Sequence, residues 1–184
     1  MMRNMLSLTL VVAACSWYAL ADVPIQPDFK DDKITGKWYS FGIASNSNWF
    51  QAKRGHMKMC TTMITPTADG NLEVAATYPK MDRCENKTLI YTKTDTPGRY
   101  TSKGIRTGST LDIIVVETNY EEYIMLYTGI TKGLEVKTMV TLYGRTKEMR
   151  PKLIENFRKF SLDQGLSEDN ILILPYTDEC MTEN

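Results

Sequence analysis

From Lys37 onward the chain is a succession of short strand-like runs: "KWYSFGIAS", "MKMCTTMIT", "LEVAATY", "TLIYTK", "GRYTS", "LDIIVVET", "YIMLYTG" and "VKTMVTLYG". Several alternate apolar and polar residues, and β-branched and aromatic residues are frequent in them. Turn-forming stretches separate them: "TPTADGN", "TDTPG", "GIRTGS" and "TKG". Their Gly, Pro, Asp and Asn residues suit tight reversals. Eight strands at such short spacing predict an all-β domain, an antiparallel barrel or sandwich. A helical period appears only from Arg150, where "RPKLIENFRKFSLDQG" sets Leu153, Ile154, Phe157 and Phe160 on one stripe. Pro151 suits the first turn and Gly165 the C-terminal cap. A single apolar face predicts a helix lying against the outside of the strands. "NILILP" then reads as one more short strand. No repeat, linker or low-complexity tract interrupts the run, which predicts one domain over residues 22–184.

The first residues do not fit this pattern. Arg3 opens a short basic region, "MLSLTLVVAACSWYAL" is apolar, and Ala19-Leu20-Ala21 suits a small-residue cleavage site. This reads as a signal peptide over residues 1–21, too short to span a bilayer, and predicts a secreted, soluble product without stable membrane insertion. The formal net charge is zero, so nothing global points to nucleic acid or an anionic membrane. His56 is the only histidine and has no cluster of metal-ligating residues around it. No metal site, serine triad or phosphate loop is expected, and no cofactor.

Removal of Cys15 with the leader leaves Cys60, Cys84 and Cys180. Secretion favours disulfides, and three cysteines leave one over. Cys84 lies in the polar "MDRCENK" and Cys180 in the polar tail "YTDECMTEN", so a bridge between them would pin the tail to the body. Asn86-Lys87-Thr88 beside it is a glycosylation sequon. Cys60, inside a strand, is the expected free thiol. Alternation puts His56, Lys58, Cys60, Thr62 and Ile64 on one face and Met57, Met59, Thr61 and Met63 on the other. Both faces are mixed, so the pattern does not say which is inside.

The order of eight strands, a helix and a last strand resembles that of the lipocalins. Three motifs carry the likeness: Gly36-x-Trp38 in the first strand, Thr118-Asn119-Tyr120 between the sixth and seventh, and Arg145 after the eighth. The stretches "KWYSFGIASNSNWF", "MCTTMITPTADGNL", "TLYGRT" and "QGLSEDNILILP" resemble the branch of that family that holds the prostaglandin D synthases and choroid-plexus lipocalins. The resemblance implies an eight-stranded antiparallel up-and-down barrel with one C-terminal helix packed outside and an apolar cavity open at one end. Trp38 would plug the closed base, with Arg145 stacked on it. The expected partners are small lipophilic ligands: retinoids, bile pigments, thyroid hormones and fatty-acid-like molecules.

The resemblance also puts Cys60 and Thr62 in the cavity. Enzymatic members use a cysteine at the position of Cys60 to isomerise prostaglandin H2, so an isomerase is the alternative reading, with Cys60 as nucleophile and a thiol such as glutathione as helper. Ser40 and Thr62 match two hydroxyls that would lower the thiol pKa, whereas a third family serine falls at Ala76 here. Lys58 is expected to point into the cavity. Trp49 lies in a loop over the mouth, as a lid or as plain loop packing, and Tyr143 matches a pocket tyrosine or is core. In this topology the mouth loops carry Lys53, Arg54, Lys80, Arg83, Lys87, Lys103, Arg106 and Lys132 against Asp82, Glu85 and Glu135, while the closed end leans acidic with Asp69, Glu117, Glu121 and Glu122. A positive rim around an apolar hole suits lipophilic anions. The chain is expected to act as a monomer.

Overall fold

A computed structural model describes residues 23–81, 83–104 and 108–181. The expected leader and the start of the expected domain at Asp22 lie outside the described residues, as do Asp82 and Arg106. Among the described residues nine strands follow in order: β1 Gly36–Ser45, β2 Thr61–Pro66, β3 Leu72–Lys80, β4 Arg83–Lys93, β5 Arg99–Lys103, β6 Thr110–Thr118, β7 Tyr123–Lys132, β8 Glu135–Gly144 and β9 Ile171–Ile173. Each of the first eight pairs antiparallel with its neighbours, and β1 also pairs with β2, which closes the sheet into a barrel. Closure removes the exposed edges of an open sheet. No helix among the described residues is long and apolar enough to cross a membrane.

Helix α2, Pro151–Asp163, follows the barrel with Pro151 in its first turn. Leu153 and Phe157 are buried and Ile154 and Phe160 partly so, in one cluster with Phe41, Val140 and Leu142 on the outer wall. Gly42 is where the helix comes closest: a Cβ there would lie 2.7 Å from the Phe157 ring. Gly165 ends the helix at φ +80°, as its place in the sequence predicts. A second helix, α1 over Asn48–Lys53, sits in the β1–β2 connection and has no counterpart in the sequence reading. Ser47 caps it by accepting from the Phe50 amide, and Phe50 is fully buried.

The base is sealed by Trp38, which has no exposed surface. The Arg145 guanidinium lies 3.7 Å from the centre of its ring, a cation–π stack. Arg145 also donates to the carbonyls of Thr35 (2.8 Å), Lys33 (2.8 Å), Tyr120 (3.0 Å) and Lys37 (3.3 Å). Gly36 explains itself here. Its φ is +96°, and a Cβ would sit 3.3 Å from an Arg145 nitrogen. In the β6–β7 turn, Asn119 Oδ1 accepts from the Glu122 and Tyr123 amides. Around the plug an interior apolar cluster gathers Ile34, Ile64, Leu72, Val74, Ile113, Val115 and Ile124.

Two differences from the sequence pattern concern the first seam. β2 begins at Thr61, not near Met57, because the mouth half of β1 pairs with β9 instead: Gly42 with Ile173 and Ala44 with Ile171. The chain leaving β9 fills the fork between β1 and β2. Leu174 donates to the Phe41 carbonyl, and the Pro175 carbonyl accepts from Met59 (both 2.9 Å). The tail then ends in the Cys84–Cys180 disulfide, as the cysteine positions predict, with Cys60 left free.

Replacing Arg145 by Ala should destabilise the fold by about 2–4 kcal/mol, since four carbonyls lose a charged donor and the indole its lid. Arg145→Lys should recover less than half of that, because an ammonium cannot supply the planar fork. Urea unfolding checks this; a lysine variant as stable as the wild type would contradict it.

Candidate functional site

Register assigns the inner face without ambiguity. Trp38 stands opposite Thr62, Thr62 opposite Ala76, and Ala76 opposite Lys87. Directly paired residues share a face, so Thr62, Ala76 and Lys87 line the interior with Trp38. On the other side of β1, Ser40 faces Tyr143 and Ile43 faces Thr141. Alternation along β8 adds Met139 and Lys137, and along β4 Leu89 and Tyr91.

The interior is layered along the barrel axis. Above the apolar floor is a belt of polar groups: Ser40, Cys60, Thr62, Tyr91, Thr141 and Tyr143. Toward the mouth come charged side chains: Glu85 paired with Lys80 at 2.9 Å, Lys137 paired with Glu135 at 2.9 Å, and Lys87 and Lys132. Cys60, Ala76, Leu89, Tyr91, Leu111, Ile130, Met139 and Tyr143 all face inward yet are only half-buried. Accessible surface on the inner face of a closed barrel is the surface of an unfilled interior.

Ser40 is the partner of Cys60. Its Oγ accepts from the Cys60 amide at 2.8 Å and lies 3.1 Å from Sγ and 3.2 Å from the Cys60 carbonyl. A serine has one hydroxyl proton, so sulfur and carbonyl compete for it. Burial pushes the thiol pKa up, and the Ser40 contact only partly opposes this. A neutral thiol is thus the favoured form at neutral pH.

Thr62 departs from the expected role. Although 2 % exposed, its Oγ1 has no hydrogen bond of ordinary geometry to Cys60 or to any other group among the described residues. It lies close to the Tyr143 phenol, whose pKa burial raises strongly while the Thr62 and Thr141 hydroxyls pull it slightly back. Tyr91 is pushed up to about 12 by burial. Ala76, directly across from Thr62, offers no hydroxyl, so the position that resemblance gives to a serine is where a partner for Thr62 is missing.

Lys58 does not enter the interior. Its ammonium is exposed and pairs with Glu179 of the tail at 3.1 Å, so the expectation that alternation carries past Cys60 fails where the strand has not yet begun. Trp49 is 53 % exposed on α1, while its neighbour Phe50 supplies the loop packing. Met139, one of the strand methionines that suit a ligand cavity, lies on this face; Tyr91, Thr141 and Lys137 were not singled out in the sequence, and stepping back by two from Tyr143 finds the last two. The rim is less uniformly positive than its composition implies, because Glu85 pairs with both Lys80 and Arg83.

An up-and-down barrel plugged by tryptophan and arginine, with inward-facing side chains that are only partly buried, defines the class. Residues 35–178 match the lipocalin / cytosolic fatty-acid binding protein family, and the chain belongs to that family. A lipocalin of Rhinella marina is 58 % identical over 94 % of each chain. The prostaglandin-H2 D-isomerase of Canis lupus familiaris is 45 % identical, covering 95 % of this chain and 92 % of its own. Among solved structures, the siderocalin Ex-FABP, described as functioning through dual ligand specificities, superimposes with a TM-score of 0.67 at 27 % identity, over 79 % of this chain and 95 % of its own. Family membership carries the binding of small hydrophobic ligands.

Alkylation of Cys60 by iodoacetamide at pH 7 should run about tenfold or more slower than that of free cysteine. The rate should still be climbing at pH 9, and Ser40→Ala should move the profile to higher pH. A plateau below pH 8 would contradict the environment described.

Proposed function

We propose that the protein is a secreted monomeric carrier of small lipophilic molecules, lipophilic acids above all, in extracellular fluid such as cerebrospinal fluid. Retinoids, bile pigments, thyroid hormones and fatty-acid-like molecules are the ligand classes. The half-filled interior carries this reading: apolar below, hydroxyl-lined in the middle and cationic at the mouth. An acyl or polyene chain would fill the lower part, with the carboxylate held near Lys87, Lys132 and Lys137 where partial hydration keeps desolvation cheap. Cys60 and Tyr143 would line the chain, and Trp49 would close over the mouth. The apolar leader and the Cys84–Cys180 bridge support secretion. Asn86 is exposed on the outer face of β4, which suits a glycan clear of the mouth.

Isomerisation of prostaglandin H2 is the second reading, favoured by the named isomerase relatives and by the inward position of Cys60. The Cys60 thiolate would attack one endoperoxide oxygen, breaking the O–O bond and forming S–O, while the other oxygen takes a proton. Loss of the proton on the carbon bearing the S–O oxygen would expel the thiolate and leave a ketone. No atoms are gained or lost, and no cofactor is consumed; an external thiol such as glutathione would keep Cys60 reduced. The raised thiol pKa and the missing hydroxyl at Ala76 argue for weak turnover. Ser40 would be the hydroxyl that lowers the thiol pKa, and Thr62 would join it only if given a partner.

Two assays separate the readings. Retinoic acid should bind more tightly than retinol at low salt, with the advantage shrinking as salt rises; equal affinities would remove the anionic preference. Prostaglandin D2 formation with glutathione should be weak in the wild type, lost in Cys60→Ala, and increased by Ala76→Ser. Undiminished turnover in Cys60→Ala would overturn the thiol mechanism.

A further inference from the structure

Antiparallel alternation brings α1, the β3–β4 turn and the β7–β8 turn to one end of the barrel, around the mouth. Each carries large apolar side chains that are exposed by half or more. Trp49 is 53 % exposed, Met81 88 %, Val136 64 %, and Leu134 is wholly exposed. The turns at the closed end, residues 67–71, 94–98 and 119–122, present no large exposed apolar residue. The asymmetry is directional: apolar tips point outward at the open end only.

Cations surround these tips. Glu85 and Glu135 are already paired with Lys80, Arg83 and Lys137. Lys53, Lys103 and Lys132 are exposed, and no carboxylate among the described residues pairs with them. Ahead of β9, Glu168 pairs with Arg158, while Arg54 donates to the backbone carbonyl of Asp169.

We propose that the open end docks on an anionic lipid surface, with Trp49, Met81 and Leu134 entering the interfacial layer and the lysines on the headgroups. Indole and aliphatic tips flanked by lysines are what an interfacial layer accepts, and each basic residue near an anionic leaflet adds to the attraction. A protein partner fits worse. The tips sit on separate loops around an opening, so they form no continuous patch that a rigid surface could pack against, whereas a fluid layer takes each tip by itself. Docking in this orientation sets the mouth directly over a lipid phase. The loop tips carry this docking whichever ligand the interior holds.

Co-sedimentation of the protein with phosphatidylcholine vesicles, with and without about one-third phosphatidylserine, tests this. Binding is expected on the mixed vesicles, falling with salt. Brominated acyl chains should quench Trp49, Trp38 being fully buried. The double variant Met81→Ser, Leu134→Ser should bind about tenfold less, with its retinoic acid affinity in solution and its unfolding midpoint unchanged. No binding to mixed vesicles at physiological ionic strength, equal binding by the double variant, or binding only to membranes that carry protein would overturn the proposal.

Discussion

The stack of Arg145 on Trp38 is the contact on which the rest depends. A barrel of eight strands could leave both ends open. Here the indole fills one end completely, and the guanidinium holds it there while donating to carbonyls at Lys33, Thr35, Lys37 and Tyr120. One side chain thus ties the approach to β1, the start of β1 and the β6–β7 turn into a single lid. With the base shut, the unfilled space has one outlet. The direction of the cavity, the placing of charge and the apolar loop tips all take their meaning from that polarity.

Above the plug, burial governs the chemistry. Cys60 faces the interior at the fork where β9 and the tail displace β2 from β1. Desolvation raises its pKa, and the Ser40 hydroxyl, divided between sulfur and carbonyl, opposes this only in part. The Thr62 hydroxyl lies close to the Tyr143 phenol without a hydrogen bond of ordinary geometry, and Ala76 across from it supplies no hydroxyl. The same belt that would activate a nucleophile therefore keeps the thiol protonated, and a lining with unmet hydroxyls suits a bound molecule better than an attacking thiolate. The C-terminal tail fixes this geometry from outside, through Pro175 on Met59, Glu179 on Lys58 and Cys180 on Cys84.

Much of this was legible in the sequence where the cause is local. Gly36, Trp38 and Arg145 could be read through the resemblance to the lipocalins, and the structure gives the reason: a positive φ, a large indole and a planar cation meet at one spot. The stripe of α2 and the cysteine pairing followed from periodicity and from polar context. What escaped depends on distant partners. Lys58 turns outward because Glu179 lies 121 residues away. β2 starts late because a strand from the far end of the chain takes its place beside β1. Helix α1 is too short to show a period, although Ser47 ahead of "NWFQ" was a capping signal. The pairing of Lys80 with Glu85 crosses the β3–β4 hairpin and is set by its register, which composition does not carry.

The central claim is that the barrel interior, reached from the mouth, is where a lipophilic ligand is held. Methyl-labelled NMR during a titration with retinoic acid tests it most directly. The account predicts one-to-one binding that shifts the inward methyls of Leu89, Leu111, Ile130 and Met139, with Leu162 on the outer face of α2 and Ile90 on the outer face of β4 unmoved. Shifts confined to outer positions, such as Val116 and Met125 beside α2, with the inward methyls unchanged at saturation, would contradict it.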